Sequence, residues 1–187
     1  MISIIDFETT GLLKEGSNDF LAQPGITQIG LVLPDDKLQE THHINQLVNP
    51  DIAAGAWSPE AIKVTGIGPE QVKDAPTLLG VFDTFANAVR GSLYWAGYNT
   101  KFDKGVLWHQ LMRYGLEKNF PWPPRDADVM KAVGRALGFV PGKRHDRWKL
   151  GDAHLKIVGK PLEGAHDGLA DCRGTAAIMR KLAHEFV

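Results

Sequence analysis

The sequence contains one cysteine, Cys172, in 187 residues. That excludes an intramolecular disulfide framework and any zinc site built from several cysteines, and makes an intracellular protein the default reading. Long apolar runs are missing too. The opening "MISIIDFE" has no basic start, Asp6 cuts its apolar stretch well short of a signal sequence, and no later run approaches membrane-spanning length. The expectation is a cytoplasmic protein with no membrane partner. Charge of one sign is not in excess either: 21 basic residues stand against 22 acidic ones, a formal net charge of -1. A polyanion would have to be met by a local patch or through bound cations, because no global basic field exists.

Two common hydrolase signatures are also absent. The seven histidines form no H-x-x-x-H or H-E-x-x-H pattern; the only His-Glu pair, His184-Glu185, runs out at the last residues. "GFVPGKR" looks glycine-rich but lacks the spacing and Ser/Thr of a nucleoside-triphosphate loop.

What the chain does contain is a pattern of elements. Its length fits one domain spanning residues 1–187. Residues 1–7, "GITQIGLVLP" (25–34) and "THHINQLV" (41–48) read as strands, forming an early antiparallel meander around the polar turn "DDKLQE". Leu78, Phe82, Phe85 and Val89 recur at helical spacing, with Gly91 placed to end the helix. "SLYWAGY" (92–98) predicts a further strand, followed by a helix over 101–114 and an extended piece near Asp126. Helices follow near 127–137, 148–158 and 167–185. The order predicts an α/β domain with a mixed sheet flanked by helices, and irregular segments at 11–25, 49–76 and 115–126.

Several carboxylates sit where polar residues do not belong. In "IIDFETTG" (4–11), Asp6 and Glu8 are i and i+2 neighbours and share one face of the first strand. The pattern alone proves nothing, since Asp126 and Asp128 repeat it. On the last helix, however, Asp171 falls in the middle of the apolar side formed by Thr175, Ile178, Met179, Leu182 and Phe186. Asp103 likewise shares a stripe with Val106, Leu107 and Tyr114, while Lys101, Lys104 and Arg113 point elsewhere. A buried salt bridge or a helix-capping acid would account for Asp171 taken singly. If the two helices cross one strand end, the four carboxylates converge, and such a set of hard oxygen ligands needs cations and selects Mg2+ or Mn2+. His166, five residues before Asp171, reads first as a surface or packing residue and second as a catalyst just outside the helix start.

As a set these residues resemble the DEDDh 3′→5′ exonucleases, the group that includes polymerase proofreading subunits and RNase T and has a ribonuclease-H-like fold. "DFETTG", "NTKFD" and "HDGLAD" match its three motifs in order, and "LVNPD", "TGIGPEQVKDAPT" and "RDADVMKAVGRALG" look like its connecting segments. A histidine at a spacing of five favours the histidine branch. One departure is Tyr98 before Asn99, where the family often has histidine; it bears on substrate contacts and leaves the acids untouched.

The resemblance implies that Asp6, Glu8, Asp103 and Asp171 hold two divalent ions, Mg2+ or Mn2+, with His166 as general base. It further implies that Thr9, Thr10, Gly11 and Asn99 contact the terminal nucleotide. Leu12 and Phe102 pack on its base or, equally, fill core. The implied activity is a metal-dependent 3′→5′ exonuclease releasing 5′-mononucleotides from single-stranded or frayed DNA ends. The alternatives are an exoribonuclease of the same mechanism or a proofreading or docking subunit with a DNA polymerase as partner. "GKRHDRWK" (142–149) reads first as a solvated charged face and second as a phosphate contact.

Overall fold

The computed structural model describes residues 1–14, 16–17, 19–53, 56–138 and 148–183. Three strands come first, β1 (Ile2–Thr9), β2 (Ile26–Pro34) and β3 (Glu40–Leu47), paired antiparallel in chain order. Two short helices follow, α1 (Pro59–Thr65) and α2 (Pro69–Val72), and then α3 (Leu78–Val89). β4 (Tyr94–Gly97), α4 (Thr100–Tyr114) and β5 (Arg125–Asp128) make the parallel half, and α5 (Val129–Leu137), α6 (Leu150–Val158) and α7 (Gly168–Lys181) complete the described elements. The sheet order is β3-β2-β1-β4-β5, with β4 and β5 parallel to β1. A mixed five-stranded sheet flanked by helices is what the element order predicted, and it is the ribonuclease-H-like architecture that the resemblance implied.

Alternation along β1 divides the core. Ile4 faces a cluster with Leu169, Cys172, Ala176 and Ile178 of α7 and the apolar side of α5. Ile5 and Phe7 face the other way, against α3 and α4, in a cluster centred on the fully buried Trp95 and Phe85. Burying each such side chain is worth about 1.5–3 kcal/mol, so α7 and α4 are pressed onto opposite faces of one strand. Both helices that carry inward acids therefore reach β1.

Two expectations need correction. The stretch 49–76 is not wholly irregular: Ser58 caps α1 by accepting from the Ala61 N–H, Pro59 opens the helix, and Gly66 ends it at φ 70°. These are local start and stop signals, too closely spaced to produce an apolar period. The strand expected over 92–98 is confined to Tyr94–Gly97, because the chain first turns through Gly91 at φ 82°, with the Ser92 N–H donating to the Val89 carbonyl. Among the described residues no helix is long and apolar enough to cross a membrane. Of the basic stretch 142–149, only Trp148 and Lys149 fall among the described residues. The Trp148 indole donates to the Gly138 carbonyl and packs against the α7-side core.

Candidate active site

The site is built where β1 outruns its parallel neighbour. β4 pairs with β1 only from Ile2 to Ile4, so the Phe7 N–H beyond that point has no strand to bond. Asp103, in the first turn of α4 and buried, fills the gap: its Oδ1 accepts from the Phe7 N–H at 3.1 Å. The acid on the apolar face of α4 is thus tied to the strand segment between Asp6 and Glu8.

α7 arrives on the other face by a different device. Opposite Asp6 on β2 stands Gly30, and opposite Glu8 stands Gln28, so both share the face of the acids. A Cβ on Gly30 would run into the Gly168 carbonyl, and one on Gly168 would lie 3.1 Å from the Gly30 nitrogen and 3.2 Å from the Asp6 carbonyl oxygen. The first turn of α7 therefore rests directly on backbone: a side chain at Gly30 would collide with it, and one at Gly168 would be held tighter than ordinary van der Waals contact. Gln28 secures it: its Oε1 accepts from the Gly168 N–H at 3.0 Å, and its Nε2 donates to the Asp167 carboxylate at 2.8 Å. Asp167 is the helix cap, accepting from the Ala170 N–H. Burial opposes ionisation of Asp167, but those hydrogen bonds outweigh it and hold its pKa below the usual range.

With α7 seated this way, carboxylate oxygens of Asp6, Glu8 and Asp171 lie within 4.8 Å of one another. Glu8 and Asp171 are buried and Asp6 is partly open. Loss of solvent is the main reason all four acids hold protons more tightly than normal. Asp6 is pushed well above the carboxylate range, with Asp103, Asp171 and Glu8 adding repulsion. Glu8 is raised to about 8, by burial and then by Asp171 and Asp103. Asp103 rises to about 7, burial prevailing over the Phe7 hydrogen bond, and Asp171 to about 6, burial prevailing over the His166 N–H. Anions so placed are stable together only beside cations, and an all-carboxylate donor set suits hard divalent ions.

His166 precedes the α7 cap with φ 68°, a left-handed conformation that is uncommon for a residue with a side chain. Its N–H lies 3.3 Å from both Asp171 oxygens and its side chain is exposed, next to the acids and outside the core.

Leu12, Asn99 and Phe102 meet on one cleft of about 960 Å3, which His109 and Lys101 also line. Leu12 is 82% exposed, whereas Phe102 is half-buried against the α4-side core. Asn99 precedes α4 without capping it, leaving its amide on the cleft wall. Thr9 and Thr10 are occupied internally: the Thr9 hydroxyl donates to the Gly11 carbonyl at 2.7 Å, and the Thr10 hydroxyl accepts from the Gly25 N–H at 3.0 Å. They shape the turn, and Gly11 rests against Ser58 at the start of α1. The lip bearing Leu12 is pinned from behind. Gln23 bonds the Lys14 N–H and carbonyl and the Ser17 carbonyl, while Arg113 donates to the carbonyls of Phe20, Leu21 and Gln23.

Four contributors escaped sequence reading. Asp167 had a signal, an Asp directly before the helical "GLAD". Gln28, Gly30 and His109 had none, because their importance depends on what lies across the sheet or cleft.

The sequence profile of the RNase T exonuclease family matches residues 3–179, and the chain belongs to that family. It is 28% identical to the DNA polymerase III epsilon subunit of Escherichia coli (strain K12) over 142 residues, which is 76% of this chain and 55% of that one. The chain thus spans about half the length of that curated relative. Among solved structures, Exonuclease X in complex with 5′ overhanging duplex DNA superposes with a TM-score of 0.66 at 25% identity, covering 98% of this chain and 92% of that one. The nuclease domain of 3′hExo, a DEDDh family member bound to rAMP, gives 0.73 at 23% identity, covering 98% and 91%.

Proposed function

We propose that this chain is a metal-dependent 3′→5′ exonuclease that releases 5′-mononucleotides from single-stranded or frayed DNA ends. The observation that carries the reading is the convergence of Asp6, Glu8 and Asp171 within 4.8 Å, with Asp103 tied to the same strand. These four residues would hold two divalent ions, Mg2+ or Mn2+, which when bound stabilise charge on the attacking and leaving oxygens and make water more acidic. The chain's own residues supply the rest. His166, exposed beside Asp171, takes the proton from the attacking water. Leu12 and Phe102 hold the terminal base between them, Asn99 contacts the same nucleotide from the cleft wall, and Thr9, Thr10 and Gly11 form the tight turn that lets backbone approach it.

The test is digestion of matched 3′-labelled single-stranded DNA, duplex DNA and RNA, with Mg2+, with Mn2+ and without metal. Metal-dependent release of mononucleotides from the 3′ end, fastest on single-stranded DNA, is expected. Faster RNA digestion would move the assignment to an exoribonuclease, and no release from any substrate would refute it. Similarity to a polymerase subunit favours a second reading, in which the same domain works bound to a DNA polymerase. Co-purification with a polymerase and faster removal of mispaired ends in that complex would support it.

A further inference from the structure

The segment between β1 and β2 leaves the sheet and returns to it at one place. The Thr10 N–H donates to the Gly25 carbonyl at 2.9 Å, and the Gly25 N–H donates to the Thr10 hydroxyl at 3.0 Å. Leu12 stands on the outgoing limb four residues after Glu8, and Phe102 directly precedes Asp103, so the chain itself places the cleft they share beside the acids. Yet Leu12 is 82% exposed and lies outside both core clusters. A side chain so exposed is not fixed by packing, and ordering it afresh for each substrate would cost conformational entropy. Its position depends on the backbone beneath it.

That backbone is braced twice. Inside the loop, buried Gln23 accepts from the Lys14 N–H at 2.9 Å and donates to the Lys14 and Ser17 carbonyls at 3.0 and 3.1 Å, which ties the limb that bears Leu12 to the returning one. Behind the loop stands α4. Leu13 lies against Gly105, where a Cβ would sit 2.8 Å from its Cδ1, and the Nε2 of fully buried Gln110 reaches the Pro24 carbonyl at 3.5 Å. Arg113 closes the set: its Nε donates to the Phe20 carbonyl at 3.0 Å, and one terminal nitrogen donates to the carbonyls of Leu21 and Gln23 at 3.2 and 2.6 Å. Three carbonyls on one rigid guanidinium fork fix orientation as well as distance. Arg113 itself does not line the cleft. The helix that carries it also carries Asp103 in its first turn, bonded to the Phe7 N–H. α4 is thus a rigid link about 15 Å long between an acid at one end and the lip at the other.

We propose that Arg113, working with Gln23, is a positioning residue for the grip on the 3′ end: it latches the lip to α4 and so sets where Leu12 stands relative to Phe102 and the acids. This rests on the cleft being the nuclease site. The experiment is steady-state digestion of the trinucleotide pTpTpT with Mg2+ by the wild type, Arg113→Ala, Arg113→Lys, Leu12→Ala and the double variant Leu12→Ala/Arg113→Ala. A grip on the terminal base is felt alike before and during the reaction, so its loss appears in KM. Arg113→Ala and Leu12→Ala should each raise KM on the order of tenfold, with kcat within about threefold of wild type. The double variant should lose no more than the larger single loss, because a displaced lip leaves Leu12 nothing further to contribute. Arg113→Lys keeps the charge without the fork and should fall between wild type and Arg113→Ala; it decides the matter if Arg113→Ala does not fold. A lowered Tm with unchanged KM, a loss confined to kcat, or KM losses that multiply in the double variant would each overturn the latch while the nuclease assignment stands. A wild type that digests no DNA overturns both.

Discussion

α4 and α7 deliver one buried acid each to the same strand, by opposite means. Asp103 is held by its own carboxylate, which satisfies a backbone N–H left over at the end of β4 pairing. Asp171 is held by the seating of its helix: Gly30 and Gly168 in backbone contact, Gln28 bonded to Gly168 and Asp167, Asp167 as cap. The lesson is that a catalytic group can be structural at one position and a passenger at another within the same cluster. The same substitution should then have different consequences for stability at the two positions.

The largest expected effect is on turnover. Asp103→Asn and Asp171→Asn should each remove nearly all nuclease activity while circular dichroism remains native, because each loses a charged ligand and neither loses packing. Near-wild-type turnover in either, with Mg2+ present, would sink the shared metal site. His166→Ala should lower single-turnover rates on the order of 10²- to 10⁴-fold near neutral pH, with partial recovery at higher pH where hydroxide is more available. A mutant with wild-type rates from about pH 6 to 9 would return His166 to an ordinary surface role.

The next effects separate the two helices directly. Gly30→Ala should cost about 3 kcal/mol or more in urea unfolding, since the new methyl group meets the Gly168 backbone and no flexible side chain can give way. A loss under about 1 kcal/mol would show that α7 can be reseated. At Asp103, alanine should be less stable than asparagine by about 1–3 kcal/mol, because asparagine still accepts from the Phe7 N–H and alanine leaves it unpaired. At Asp171, alanine and asparagine should unfold alike, its His166 contacts being 3.3 Å long at an exposed residue. Equal alanine and asparagine values at position 103 would erase the contrast.

The smallest effect is in pH. Asp6, Glu8, Asp103 and Asp171 bind protons more tightly folded than unfolded, so the folded state carries the extra protons between the ordinary carboxylate range near pH 4 and about 8. Stability in metal-free buffer should therefore fall as pH rises through that window, the reverse of a salt-bridged acid. Thermal melts in EDTA should show Tm lower at pH 8 than at pH 5, and added Mg2+ or Mn2+ should raise it most at pH 8. A metal-free Tm that climbs with pH would contradict the crowding of the four acids.

Much of this was legible before folding. Asp6 and Glu8 share a face because strands alternate, and Asp103 and Asp171 were conspicuous because helical periodicity placed them among Val106, Leu107, Ile178 and Met179. Strand and helix order implied the mixed sheet, and start and stop residues such as Ser58 and Gly66 were readable had they been weighed without an apolar period beside them. These are properties of neighbours in the chain. Nothing local distinguished Gly30 from any other strand glycine, or Gln28 from an ordinary polar residue in "GITQIGLVLP", because their roles arise from a helix some 140 residues away that settles against them. The Phe7 N–H that Asp103 satisfies, too, is left open by the sheet only because β4 ends where it does. Periodicity reveals which side chains turn inward, whereas the distance between two inward acids is a property of the packed sheet and helices, and that distance decides whether they can share an ion.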